Sequence, residues 1–93
     1  MLPDRDTVAE AVKRVLVVEA RVNVPPQELR DDEPLNGDLL RINSLAFVGL
    51  IISLEEALDA TFEDALFMNN EFRTVGDLVD VLHGEIAGAA GAA

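Results

Sequence analysis

The chain has 93 residues, with 18 acidic side chains against seven basic ones and no cysteine, for a formal net charge of −11. That length makes one domain with a modest core, and the missing cysteines exclude disulfides and thiolate metal sites. So strong a negative charge repels phosphate backbones and anionic surfaces, which argues against nucleic-acid and membrane partners and for basic protein ones. No apolar run reaches the roughly 18 residues that a bilayer-spanning helix needs. None of signal-peptide kind opens the chain either, so a cytoplasmic location is expected.

Residues 1–6 read as a flexible leader. Thr7 with Glu10 three residues on has the form of a capping box, with Asp6 as an alternative N-cap. Val8, Ala11, Val12, Val15 and Val22 follow at helical spacing and predict a first helix over 7–21. Glu19 falls inside that stripe, which predicts a loosened or exposed last turn. Asn23 suits the C-terminal end, and Pro25-Pro26 forbid continuation.

Residues 23–43 form a long connection, with a third proline at 34, the acidic triplet Asp31-Asp32-Glu33 and a turn at Asn36-Gly37. A structureless stretch of that length is uncommon in a compact domain. Leu29, Leu35, Leu39 and Ile42 are candidate anchors for it, and residues 27–30 a candidate turn of helix.

The main helix is predicted over 44–60. Projection at about 100° per residue puts Phe47, Leu50, Ile51, Leu54 and Leu58 on one stripe, the expected core face. Leu45, Val48, Gly49 and Ile52 fall on roughly the opposite side. A small domain buries one helix face easily and two with difficulty, so the second face asks for a partner, a ligand or a covalent passenger. Ser44 stands beside it at the start of the helix.

Phe62, Leu66 and Phe67 predict a short helix near 63–69, ended by Asn69-Asn70. Thr74 with Asp77 is a second box-like start. From there Val75, Leu78, Val79, Leu82 and Ile86 give the apolar stripe of a last helix over 74–86. Residues 87–93, all Ala and Gly, read as a mobile tail. The expected fold is all-α: a small irregular four-helix bundle, three longer helices plus one short, forming a domain over 7–86.

Signals for catalysis and metal binding are weak. Phosphate loops, paired metal ligands and the nucleophile elbow are all absent from the sequence. His83 is the lone histidine and suits a surface position near a helix C-terminus. Read from Asp32, the loop matches a calcium site at Gly37, but Pro34 replaces an oxygen ligand and Asn43 stands where a bidentate Glu is needed. Neither catalytic nor metal-ligating residues are expected.

Ser44 is the exception. Serine is common at helix starts, but Asn43 can cap this one itself, so the hydroxyl is spare. A phosphate attached there would lie at the positive end of the helix dipole, near free backbone N–H groups.

Asn43-Ser44-Leu45 opening a helix, Leu54-Glu55-Glu56 within it, and Phe72 to Val79 (FRTVGDLV) starting the last helix together resemble an acyl carrier protein, over about residues 7–86. The resemblance implies that Ser44 receives a 4′-phosphopantetheine arm from coenzyme A, added by a phosphopantetheinyl transferase that uses magnesium. The arm ends in a thiol that holds acyl or aminoacyl groups as thioesters, chemistry this cysteine-free chain could not otherwise do. It implies no catalysis by the chain itself, which would act as a monomeric substrate for loading and acyl-transferring enzymes. The family's partner surface maps onto Leu45, Val48, Gly49, Ile52, Glu55 and Glu56, which includes the surplus apolar face.

Two departures stand out. The family usually has Asp before the serine, where this chain has Asn43, and often acids along the exposed helix face, where it has Ala46 and Gly49. Recognition should then be more apolar, as suits a discrete carrier of a specialised pathway making a polyketide, a nonribosomal peptide or an unusual fatty acyl group. The alternatives are an unmodified interaction module of the same fold, a serine hydrolase lacking its usual motif, and a homodimer burying the second face.

Overall fold

Four α-helices and one 3-10 turn carry the described residues of the computed structural model, which are 4–68 and 70–91. The first helix, α1, spans Arg5–Ala20, and both α2 (Ser44–Leu58) and α4 (Val75–Gly91) pack against it. The short α3 spans Asp64–Met68, and a 3-10 turn covers Pro26–Glu28. No strand occurs among the described residues; two isolated bridges, Pro34 with Thr74 and Asn36 with Arg41, pin the long loop.

Helix α1 begins earlier than its sequence suggested. Asp4 is the N-cap: its carboxylate accepts the Thr7 N–H at 2.8 Å, so the box at Thr7 and the alternative cap at Asp6 both lie inside the helix. The Thr7 hydroxyl, and then its backbone N–H, hold the Asp4 carboxyl below its ordinary pKa. Residues 4–6 of the expected leader are therefore cap and first turn, and residues 1–3 lie outside the described ones. At the other end Arg21 takes a left-handed conformation, and its N–H reaches the Val17 and Val18 carbonyls, closing the helix before Asn23.

The buried stripe of α1 is Val8, Ala9, Val12 and Leu16, with Ala11, Val15 and Val22 only half-buried. Leu16 continues the i, i+4 progression from Val8 and Val12, and it displaces Val22 because the helix has already ended there. Glu19 does not loosen the last turn. It is half-buried and accepts the Ser53 hydroxyl of α2 at 2.7 Å.

Helix α4 starts with the reciprocal box expected from Thr74 and Asp77. The Asp77 N–H donates to Thr74 Oγ1 at 3.2 Å, while Asp77 Oδ2 accepts the Arg73 and Thr74 N–H groups at 3.1 Å each. Val75, Leu78, Val79 and Leu82 are fully buried beneath it, and Ile86 is half-buried. The helix runs past 86 to Gly91, through most of the segment read as a tail. Ala87, Ala89 and Ala90 propagate a helix already nucleated at little cost. Residues 92–93 lie outside the described ones.

The loop is ordered by the start of α4. Val75 N–H donates to Glu33 O at 3.0 Å, Gly76 N–H to Asp31 O at 2.7 Å, and Leu35 N–H to Arg73 O at 2.9 Å. A Cβ on Gly76 would stand 3.1 Å from the same Asp31 oxygen, so any other residue would have to push the Asp31 backbone back by a few tenths of an ångström, and glycine fits this close approach. Leu29, Leu35, Leu40 and Ile42 are buried. Leu40 takes the deep position, and its neighbour Leu39 is only half-buried. Anchored in this way, the loop delivers Asn43 to one place.

Candidate functional site

Asn43 is extended (φ −84°, ψ −179°) and caps α2: its Oδ1 accepts the Ala46 N–H at 2.8 Å, and its carbonyl accepts the Phe47 N–H at 2.9 Å. The capping task is thereby met without serine. Ser44, the first helical residue, is exposed. Among the described residues nothing accepts from the Ser44 and Leu45 amides, which remain at the positive end of the helix. Beside the hydroxyl runs a groove of about 360 Å³ lined by Leu35, Asn36, Ile42, Asn43, Phe47 and Phe72.

The two faces of α2 divide much as the periodicity predicts. Leu50 and Leu54 are fully buried, and Phe47, Ile51 and Leu58 pack half-buried against the core. On the other side Leu45 is 84% exposed, Val48 61% and Ile52 55%. The helix stops at Leu58, short of the expected residue 60, because Asp59 turns left-handed and its N–H reaches the Glu55 and Glu56 carbonyls.

The six residues expected on the partner surface do not all share one face. Leu45, Val48 and Ile52 do, and Glu56 is exposed beyond them. Gly49 turns toward α1, half-buried, where a Cβ would lie 3.9 Å from Glu19 Oε2. Glu55 is half-buried too, and its Oε2 accepts the Phe62 N–H at 2.9 Å, tying α2 to the chain that leads into α3. Its charge is engaged within the fold, unlike that of Glu56.

A second groove, of about 400 Å³, lies between α2 and α3, with Val48 and Ile52 at its edge and Phe47, Phe62 and Phe67 among its lining. Met68 belongs to it and is 82% exposed. Its place within the short helix predicted near 63–69 was the sequence signal for it. Asn70 closes that helix by donating from Nδ2 to Leu66 O at 2.7 Å; Asn69 lies outside the described residues.

His83 is half-buried on α4, away from these grooves' linings. Among the described residues no group of three potential ligands could hold a metal ion, and no helix is long and apolar enough to cross a membrane.

An exposed hydroxyl, two unpaired amides at a helix N-terminus and an adjoining apolar groove suit a phosphodiester that carries a long organic arm. Comparison with known proteins points the same way. No curated protein matches the chain. A family model, described as the phosphopantetheine attachment site, matches residues 6–82. Its members are carriers of 4′-phosphopantetheine that do no catalysis themselves and work with a transferase and with biosynthetic enzymes. The chain therefore belongs to the phosphopantetheine attachment site family, as a small helical carrier domain of the acyl carrier protein kind.

Proposed function

We propose that the chain is an acyl carrier whose Ser44 bears the 4′-phosphopantetheine arm. What carries this reading is a serine hydroxyl left exposed at the start of α2 while Asn43 does the capping. The bound arm supplies a terminal thiol that holds acyl or aminoacyl groups as thioesters. The chain's own part is to present the hydroxyl, to offer the Ser44 and Leu45 amides to the phosphodiester, and to hold both on a rigid helix.

Partner enzymes dock on Leu45, Val48 and Ile52, with Glu56 meeting a basic rim and Gly49 and Glu55 supporting from the flanks. From Asn43 to Leu54 no acidic residue occurs, so the contact is chiefly apolar near the serine. Small interfaces of this kind release quickly, as a carrier visiting several enzymes must. The same scarcity of acids favours a specialised polyketide, nonribosomal peptide or unusual fatty acyl pathway. A net charge of −11 sets copies of the chain against one another, in keeping with a monomer.

Incubation with a broad-range phosphopantetheinyl transferase and coenzyme A, read by intact mass, tests the assignment. The wild-type chain should gain one arm, and Ser44→Ala should gain none while keeping its helical circular dichroism. An unchanged wild-type mass would favour the unmodified interaction module instead.

A further inference from the structure

The chain has four phenylalanines and neither tyrosine nor tryptophan, and all four phenylalanines form one connected cluster. Phe47 stands 5.8 Å from Phe67, edge to face at 78°, and 5.6 Å from Phe72. Phe67 and Phe72 are 5.8 Å apart, and Phe62 meets Phe67 edge-on at 6.2 Å. Such pairs hold rings in defined geometry beyond what simple area burial does. Phe47 is the member that lines both grooves, the one beside Ser44 and the one between α2 and α3. Beneath it Leu50 and Leu54 are wholly buried.

We propose that Phe47, braced by Phe67 and Phe72, is a partition that ends the groove beside Ser44 and keeps the carried acyl group outside the bundle. The inference rests on Ser44 bearing the arm. An acyl chain lying in the groove of about 360 Å³ meets the Phe47 ring, and going further requires that ring to leave its two braces. Cargo that gains little from burial, meaning short or polar acyl groups, is the class this arrangement suits. Its thioester stays open to visiting enzymes, and the α2–α3 groove, which includes Val48 and Ile52, stays free for docking. Replacing Phe47 by alanine would join the two grooves into one continuous apolar channel starting at Ser44.

The experiment loads wild type, Phe47→Ala and Phe47→Leu with acetyl, hexanoyl or dodecanoyl pantetheine from the corresponding coenzyme A thioesters. Thioester cleavage by hydroxylamine is then timed. In wild type the rate should vary by no more than about twofold with chain length, because the thioester is exposed whatever it carries. In Phe47→Ala the dodecanoyl form should react about tenfold more slowly than the acetyl form, as for a chain sheltered nine-tenths of the time. Dodecanoyl protection already present in wild type, or absent from a folded Phe47→Ala, overturns the partition. Should Phe47→Ala fail to fold, Phe47→Leu and the methyl spectrum of wild type decide. Wild-type Leu50 and Leu54 methyl signals should be the same with acetyl and dodecanoyl cargo, and a shift at either overturns the proposal. Absence of any mass gain during loading would instead overturn the Ser44 assignment on which this one stands.

Discussion

Asn43 and Ser44 are chain neighbours with opposite relations to the fold. The Asn43 side chain satisfies a helix amide, so Asn43→Ala should cost about 1 kcal/mol in a denaturant titration. Ser44 has no side-chain partner among the described residues, so Ser44→Ala should stay within about 0.5 kcal/mol of wild type while abolishing loading. A reversed order of the two costs would mean that serine is the structural residue. This distinction was legible in the sequence because capping is local, decided within three residues. The surroundings of Gly49 were not, since its nearest neighbour, Glu19, lies thirty positions away in the chain and only tertiary packing brings it there. The space around Gly49 does admit a methyl group, at ordinary contact distance from Glu19. Gly49→Ala should therefore raise stability by about 0.5–1 kcal/mol, the conformational freedom that a helix-interior glycine loses on folding. A drop in melting temperature would show that α1 and α2 pack more closely there than these contacts indicate.

At the scale of elements, α2 is the helix with an apolar face to spare, and the two faces should answer mutation differently. Leu54 is fully buried, so Leu54→Ala should cost roughly 2–5 kcal/mol by urea unfolding. Ile52 is more than half exposed, and Ile52→Glu should shift stability by no more than about 0.5 kcal/mol. Its effect belongs on the KM of the carrier for its loading transferase. Equal losses of stability at the two positions would mean that Ile52 is covered within the fold and is no docking residue. The phases of α2 and α4 could be read from sequence because their apolar residues repeat without interruption over three or more turns. That of α1 could be read only in part: valine is plentiful on several of its sides, and the deciding Leu16 shares its turn with competing apolar residues. The far end of α4 was obscured for another reason. An Ala/Gly run reads as a tail by composition, yet alanine extends a helix that packing has already started.

Across the whole molecule, Asp31 joins parts that no local pattern connects. Its carboxylate meets Lys13 Nζ at 2.8 Å and Arg5 Nη2 at 3.0 Å on α1, and its carbonyl accepts the Gly76 N–H at the start of α4. In the sequence it was only one member of an acidic triplet, because neither its basic partners nor Gly76 are near it in the chain. The Lys13 ammonium first, and Arg5 next, hold the Asp31 carboxyl below its ordinary pKa. The sign of the resulting pH dependence follows. The unfolded chain, with Asp31 titrating at about 3.9, takes up the proton before the folded chain does. The stabilisation is therefore complete above that value and is lost as pH falls through the lower folded one. Wild type should exceed Asp31→Asn in urea midpoint at pH 6, and the gap should close as the pH approaches 2. Because the carboxylate is nearly half exposed, added salt should narrow the pH 6 gap as well. Comparing the two proteins at each pH cancels the general relief of repulsion that acid brings to so negative a chain. A gap that persists unchanged at pH 2 would show the ion pairs with Lys13 and Arg5 to be incidental, since Asp31→Asn keeps the backbone carbonyl that accepts from Gly76.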